Sequence, residues 1–145
     1  MECEKDYQLV VANPSFNHNP ELIKLPRTDK IELIVNSPCF DNCSRQELHY
    51  KTLSRQILLF SGNSDFSPCA AIRENAYDII KKRKSFIDNH FIDSELVPHG
   101  IENYKIEGRT ANEINLIEFY VYYFIREEFK EVARNDLLIQ SSAFL

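Results

Sequence analysis

Apolar and polar residues alternate along the chain with two different periods. Residues 7–12 (Tyr-Gln-Leu-Val-Val-Ala) form a short apolar run stopped by Asn13-Pro14, which predicts a buried strand ended by a turn. Residues 30–36 predict the clearest strand. Ile31, Leu33, Ile34 and Val35 are nearly continuous, as in strands covered on both faces, and Ser37-Pro38 ends the run. Residues 103–107 predict a third strand, followed at once by Gly108-Arg109. Between these lie helical signals. Pro20 suits the first turn of a short helix over residues 21–24, and Pro26 stops it. Ser44, with Glu47 three residues on, has capping-box spacing and predicts a helix over residues 45–53. Residues 57–60 are apolar but short, and residues 61–68 have loop composition. Ile72, Ala76, Ile79 and Ile80 recur at helical spacing within residues 71–84. Residues 85–97 are ambiguous, and a short strand near Phe86-Ile87 and a helical turn ending at Pro98 are expected within them. Thr110 and Glu113 have a second capping-box spacing and open the longest predicted helix, residues 110–126. Its Ile114, Ile117, Phe119, Val121, Tyr122 and Phe124 are too many for one stripe, so this helix is expected to be well buried. After Glu127 the chain is expected to be helical through Leu138 and frayed at its end.

Strands that alternate with helices argue for a parallel sheet. Polar residues sit just past the strand ends: Asn13 after the first, Asn36 and Cys39 after the second, Glu107 and Arg109 at the last. In a parallel barrel such ends converge on the active site. The expected fold class is therefore α/β, a partial parallel (β/α) barrel, TIM-barrel-like, corresponding to the C-terminal half. A complete eight-stranded barrel takes about 250 residues, and this chain has 145. The expectation is one domain over residues 1–145, with residues 127–145 as a helical tail. Half a barrel leaves open sheet edges and an exposed interior. The chain is thus expected to pair with a copy of itself or another chain that completes the barrel, or to be a truncated product. A small doubly wound domain is the alternative.

Composition narrows the partners. Apolar residues make up 43% and charged residues 27%, within the range of globular proteins. A net charge of −5 argues against unspecific attraction to nucleic acid or anionic membrane. The one exception is the run Lys81-Lys82-Arg83-Lys84, readable as a solvated helix end or as a phosphate-contacting patch. No segment approaches the about 18 consecutive apolar residues of a membrane span. The charged N-terminal residues lack the apolar stretch of a signal peptide, so a cytoplasmic location is expected. Cysteines there are thiols, metal ligands or nucleophiles rather than disulfides.

Three groups of residues carry candidate chemistry. Cys39 and Cys43 flank a short loop and Cys69 follows a Ser-Pro turn. Thiolates are soft donors suited to iron–sulfur clusters and zinc. Cys3, His49, a substrate or a partner chain would supply a fourth ligand. The other reading is three scattered reduced thiols. His49 lies one helical turn after Arg45, as an acid–base group or ligand, or as a residue packed against the barrel wall. Lys105, Glu107 and Arg109 alternate to one side of a strand. They form either an ion network that fixes the closing strand, or a site in which Arg109 binds carboxylate or phosphate while Glu107 orients it or acts as a general base. There is no Ser–His–Asp signature, no Gly-rich phosphate loop and no paired zinc knuckle.

The segment Gly100-Ile101-Glu102-Asn103-Tyr104-Lys105-Ile106-Glu107-Gly108-Arg109, with the Tyr120-Val121-Tyr122-Tyr123 helix behind it, resembles a signature of the collagenase-like U-32 peptidase family. The loop Asn36-Ser37-Pro38-Cys39, then Cys43, Arg45 and His49-Tyr50, is similar to a pattern in uncharacterised bacterial relatives of that family. The resemblance implies a β/α barrel. It also implies an activity like that of its members, which include peptidases and proteins that act on RNA or quinone precursors and hold a four-iron, four-sulfur (4Fe-4S) cluster on four cysteines. This chain departs from the family in lacking the front of the barrel and in offering three good cysteines. The expected function is a U-32-like barrel protein that binds a 4Fe-4S cluster, zinc or another metal through Cys39, Cys43 and Cys69. A non-catalytic remnant or binding domain, or a peptidase or other hydrolase using Glu107, Arg109 and His49, are the alternatives.

Overall fold

Three short strands run parallel in the order β1 (Val10–Val11), β2 (Ile31–Ile34) and β3 (Asn103–Lys105). The computed structural model describes residues 7–40, 43–59, 77–107 and 113–142. Five helices accompany the sheet among these residues: α1 (Gln46–Leu59), α2 (Tyr77–Ile80), α3 (Asn89–Phe91), α4 (Glu113–Phe124) and α5 (Lys130–Ser142). Single-turn 3-10 segments and one π turn fill several of the connections. The chain is mixed α/β with a small parallel sheet, as its pattern predicts. Among the described residues no helix is long and apolar enough to cross a membrane.

Strand pairing is tighter than the apolar runs suggest. Val10 lies opposite Ile31, and Ala12 N–H donates to Glu32 O at 3.0 Å. The Asn13 side chain then accepts from Ser15 N–H and turns the chain into the 3-10 segment Pro14–Phe16. Ile34 lies opposite Lys105, and Val35 N–H donates to Lys105 O at 3.1 Å. Ile31, Leu33 and Val35 point to one face and are buried against Leu22, Ile87, Leu96 and Ile101. The other face, carrying Val11, Glu32, Ile34 and Lys105, is half-buried to exposed. This asymmetry departs from the two-sided burial expected of residues 30–36.

Several boundaries move. Residues 57–59 belong to α1, whose exposed side is supported by the Glu47–Lys51 pair one turn apart. Of the helix expected over residues 71–84, α2 covers Tyr77–Ile80. The chain then turns, with Arg83 N–H on Ile80 O and Phe86 N–H on Arg83 O. Residues 71–76 lie outside the described residues. Phe86-Ile87 is not a strand. Only Ile87 N–H reaches the sheet, donating to Val35 O at 3.0 Å. The Ser85 carbonyl accepts instead from the Asn17 amide at 2.6 Å, and the Phe86 carbonyl bonds the His18 ring at 2.8 Å. Asp88 caps α3 by accepting from Phe91 N–H at 2.7 Å. The chain winds through a π turn, Ile92–Leu96, and a 3-10 turn, Val97–His99, before Gly100 reverses it at φ 79°. That left-handed conformation suits a residue without a Cβ.

A second core cluster joins Ile80, Phe86 and Phe119, with Tyr77, Ile106, Tyr122 and Tyr123 packed around it. Tyr123 links it to the sheet, its hydroxyl lying 2.7 Å from Ile87 O and 3.2 Å from Val35 O. Tyr123→Phe leaves the Ile87 carbonyl without this donor and is expected to cost about 1–2 kcal/mol in urea unfolding. Burial also pushes the Tyr123 phenol well above its ordinary range. In the unfolded chain a phenol ionises near about pH 10. Because the folded value is higher, stability falls as pH rises past that point. The variant should show a shallower alkaline loss, the remainder coming from Tyr77 and Tyr104, both pushed up to about 12 chiefly by burial, and from Tyr50 and Tyr122, which burial also raises.

Candidate functional site at the strand ends

Parallel order brings the C-terminal ends of β1, β2 and β3 to the same side of the sheet, where ligands of such sheets bind. Asn13 follows β1, Asn36 and Ser37 follow β2, and Glu107 follows β3. Asn36 is 1% exposed, and its side chain spans the gap to β3. Its amide donates to Glu107 O at 2.9 Å, and its oxygen accepts from Glu107 N–H at 2.7 Å. These two bonds imitate one more rung of the β2–β3 ladder and hold Glu107 at the rim.

A cleft of about 390 Å³ opens over the less covered face, lined by Val11, Asn13, Ile34, Tyr50, Lys105 and Glu107. Lys105 Nζ lies 4.0 Å from Glu32 Oε2, so this cation is partly balanced within the sheet. A narrower crevice adjoins it at Asn13 and Pro14 and is lined by Ser37, Cys39, Phe40, Gln46 and Ser85. Asn13 also donates to Gln46 Oε1 at 3.3 Å, which ties the end of β1 to α1.

Tyr50 lines the cleft, one helical turn beyond Gln46, which lines the crevice. Burial raises its phenol above the ordinary range, and the charges of Glu107 and of an ionised Cys39 raise it further, while a hydrogen bond with Gln46 pulls it back. Tyr50 therefore stays a neutral donor at neutral pH, beside a carboxylate and a thiol. Such a set can bind a polar ligand through a phenol, a carboxylate and two amides, with the Cys39 thiol within the same rim.

The sequence-predicted residues are partly brought together. Glu107 and Cys39 lie at the rim. Cys43 lies in the turn entering α1, with its N–H on Phe40 O at 3.2 Å and its carbonyl accepting from Gln46 N–H at 3.1 Å. Both thiols are half-buried. His49 does not line either space; its ring stacks alongside Tyr50 at 6.1 Å and 5°. Gln46 and Tyr50 share the rim-facing side of α1 at i,i+4 spacing, and that spacing is the signal that separates Tyr50 from its neighbour. Cys69 and Arg109 lie outside the described residues, as do Cys3 and Gly108. Among the described residues no three His, Cys, Asp or Glu side chains gather as a metal site.

Comparison of the chain with protein families, with curated proteins and with solved structures finds no match.

Proposed function

We propose that this chain is part of a parallel β/α barrel of the collagenase-like U-32 kind, and that its strand-end rim is a ligand site served by a thiolate-held metal. The observation that carries the reading is that Tyr50 and Glu107 line a cleft, and Cys39 the crevice adjoining it, beyond the ends of three parallel strands. The less covered sheet face supports the barrel, since in a barrel Val11, Glu32, Ile34 and Lys105 would face the interior. A second copy of the chain or another chain would complete it.

Within this reading Cys39 and Cys43 supply two donors from one loop and Cys69 a third. Bound there, a 4Fe-4S cluster would supply redox or Lewis-acid chemistry, and zinc would supply Lewis-acid chemistry alone. The rim residues do the remaining work. Tyr50 donates a hydrogen bond to the ligand, Glu107 accepts one or takes a proton, and the amides of Asn13 and Gln46 fix orientation. Among the described residues no Ser–His or Cys–His pair lines the rim, so hydrolysis ranks below ligand binding.

Anaerobic purification followed by visible absorption and by iron, sulfide and zinc analysis tests the metal. Stoichiometric metal that falls at least about tenfold in affinity in Cys39→Ser and Cys43→Ser is expected. A colourless, metal-free chain that remains folded would overturn it and leave a metal-free binding domain.

A further inference from the structure

The basic run 81–84 is not uniform in the folded chain. Lys81, Lys82 and Lys84 are exposed, and the Lys81 ammonium sits over the rings of Tyr77 and Tyr122 at 5.0 and 4.7 Å. Arg83 turns inward. Its Nε, Nη1 and Nη2 are all shielded from solvent, and none has a hydrogen-bond partner among the described residues. Its guanidinium carbon lies 4.5 Å from the centre of the Phe40 ring, next to Cys39 in the loop after β2. Two residues on, Ser85 lines the same crevice as Phe40 and Cys39.

A guanidinium cannot shed its charge as a buried lysine or histidine does. The Phe40 ring offers the cation a π face but accepts from none of its five N–H donors. A shielded cation with unused donors is costly unless an anion joins it. The geometry of the fork suits two oxygens of one carboxylate or phosphate.

We propose that Arg83 is an anion-recognition residue, whose guanidinium receives the oxyanion of a ligand entering beside Cys39 and Phe40. The site stands on the buried guanidinium and not on the metal reading, so chelator-treated protein should behave alike. Phe40 is 38% exposed and lies over the Arg83 guanidinium from the loop after β2.

Thermal unfolding of the full chain tests this, with inorganic phosphate or acetate added against chloride at matched ionic strength. A tenfold excess of anion over its dissociation constant should raise the midpoint by about 5 °C. Response to phosphate alone identifies a phosphate group, and response to acetate a carboxylate. Arg83→Met should unfold at the wild-type midpoint or higher without anion, because it removes an uncompensated charge, and should lose the shift. Arg83→Lys should keep a smaller one. A shift that chloride reproduces, or that persists in Arg83→Met, overturns the proposal. So does a wild-type chain indifferent to both anions whose Arg83→Met variant melts several degrees lower, since Arg83 is then paired within the chain. Should Arg83→Met not fold, Arg83→Lys decides: an unreduced shift there overturns the proposal, and a reduced one supports it.

Discussion

Phe119→Ala is expected to destabilise the chain by about 3–5 kcal/mol, read as a lower midpoint in urea unfolding. The ring is 0% exposed and sits at the centre of the second core cluster. Tyr77 meets it edge-on at 5.1 Å and Phe86 lies at 6.5 Å. These neighbours come from α2 and from the segment ahead of α3, so one side chain from α4 joins parts of the chain that are distant in sequence. Truncation removes the ring's transfer energy and leaves a cavity between aromatic side chains that cannot all move inward. Domains of this size are stable by only about 5–15 kcal/mol, so the loss takes a large share. Phe119→Leu should cost less, about 1–2 kcal/mol, since most of the volume stays filled. If the alanine variant loses under about 1 kcal/mol at an unchanged denaturant slope, the cluster is not a core and the packing of α4 is misassigned.

The same cluster shows which signals the sequence carried. Helix α4 was legible from its dense apolar repeat, but not its one-sided burial: Phe119 and Val121 are buried, whereas Ile114 and Phe124 are 57% and 69% exposed. Strand β2 was legible because Ile31, Leu33, Ile34 and Val35 form a nearly continuous apolar run, which did not reveal that only one of its faces is buried. The polar residues just past the strand ends, Asn13, Asn36, Cys39 and Glu107, placed the rim, because parallel strands put their ends on one side; Arg109, read with them, lies outside the described residues. What failed did so for stated reasons. Phe86-Ile87 carries the composition of a strand, yet Asn17 and His18 take the carbonyls that a ladder would use. Such side-chain competition leaves no trace in hydrophobic periodicity. Residues 57–59 read as a separate apolar piece because propensity cannot tell a short buried strand from the end of a helix. Arg83 read as one member of a run, either a solvated helix end or a phosphate-contacting patch, since burial of a single member of a charge run depends on the turn after α2. His49 stands out in the sequence because imidazole is a common acid–base group and ligand, whereas the helix turns Tyr50 toward the cleft.

Asn36→Ala is expected to have the second largest effect, and to act on the site as well as on stability. The residue lies 71 positions from Glu107, and its amide satisfies both the N–H and the carbonyl of that residue. Removing it leaves two backbone groups, each costing about 1–3 kcal/mol when buried and unpaired. Glu107 is half-buried, so water reaches part of the gap, and the expected total is about 2–4 kcal/mol. Asn36→Asp keeps an acceptor for the N–H, but it sets a carboxylate against the Glu107 carbonyl. Its cost should therefore grow as pH rises through the carboxylate range, because a carboxyl held above its ordinary pKa is favoured only while protonated. The site effect is read at Tyr50. The Glu107 charge helps to raise that phenol, so a Glu107 released from the rim should let Tyr50 ionise at lower pH than in the wild type. Carbon-13 labelling of tyrosine separates Tyr50 from the other phenols during an alkaline titration. An Asn36→Ala chain as stable as the wild type, with Tyr50 titrating unchanged, would mean that Glu107 is held by β3 alone. The rim would then owe its geometry to the strands rather than to the amide that bridges them.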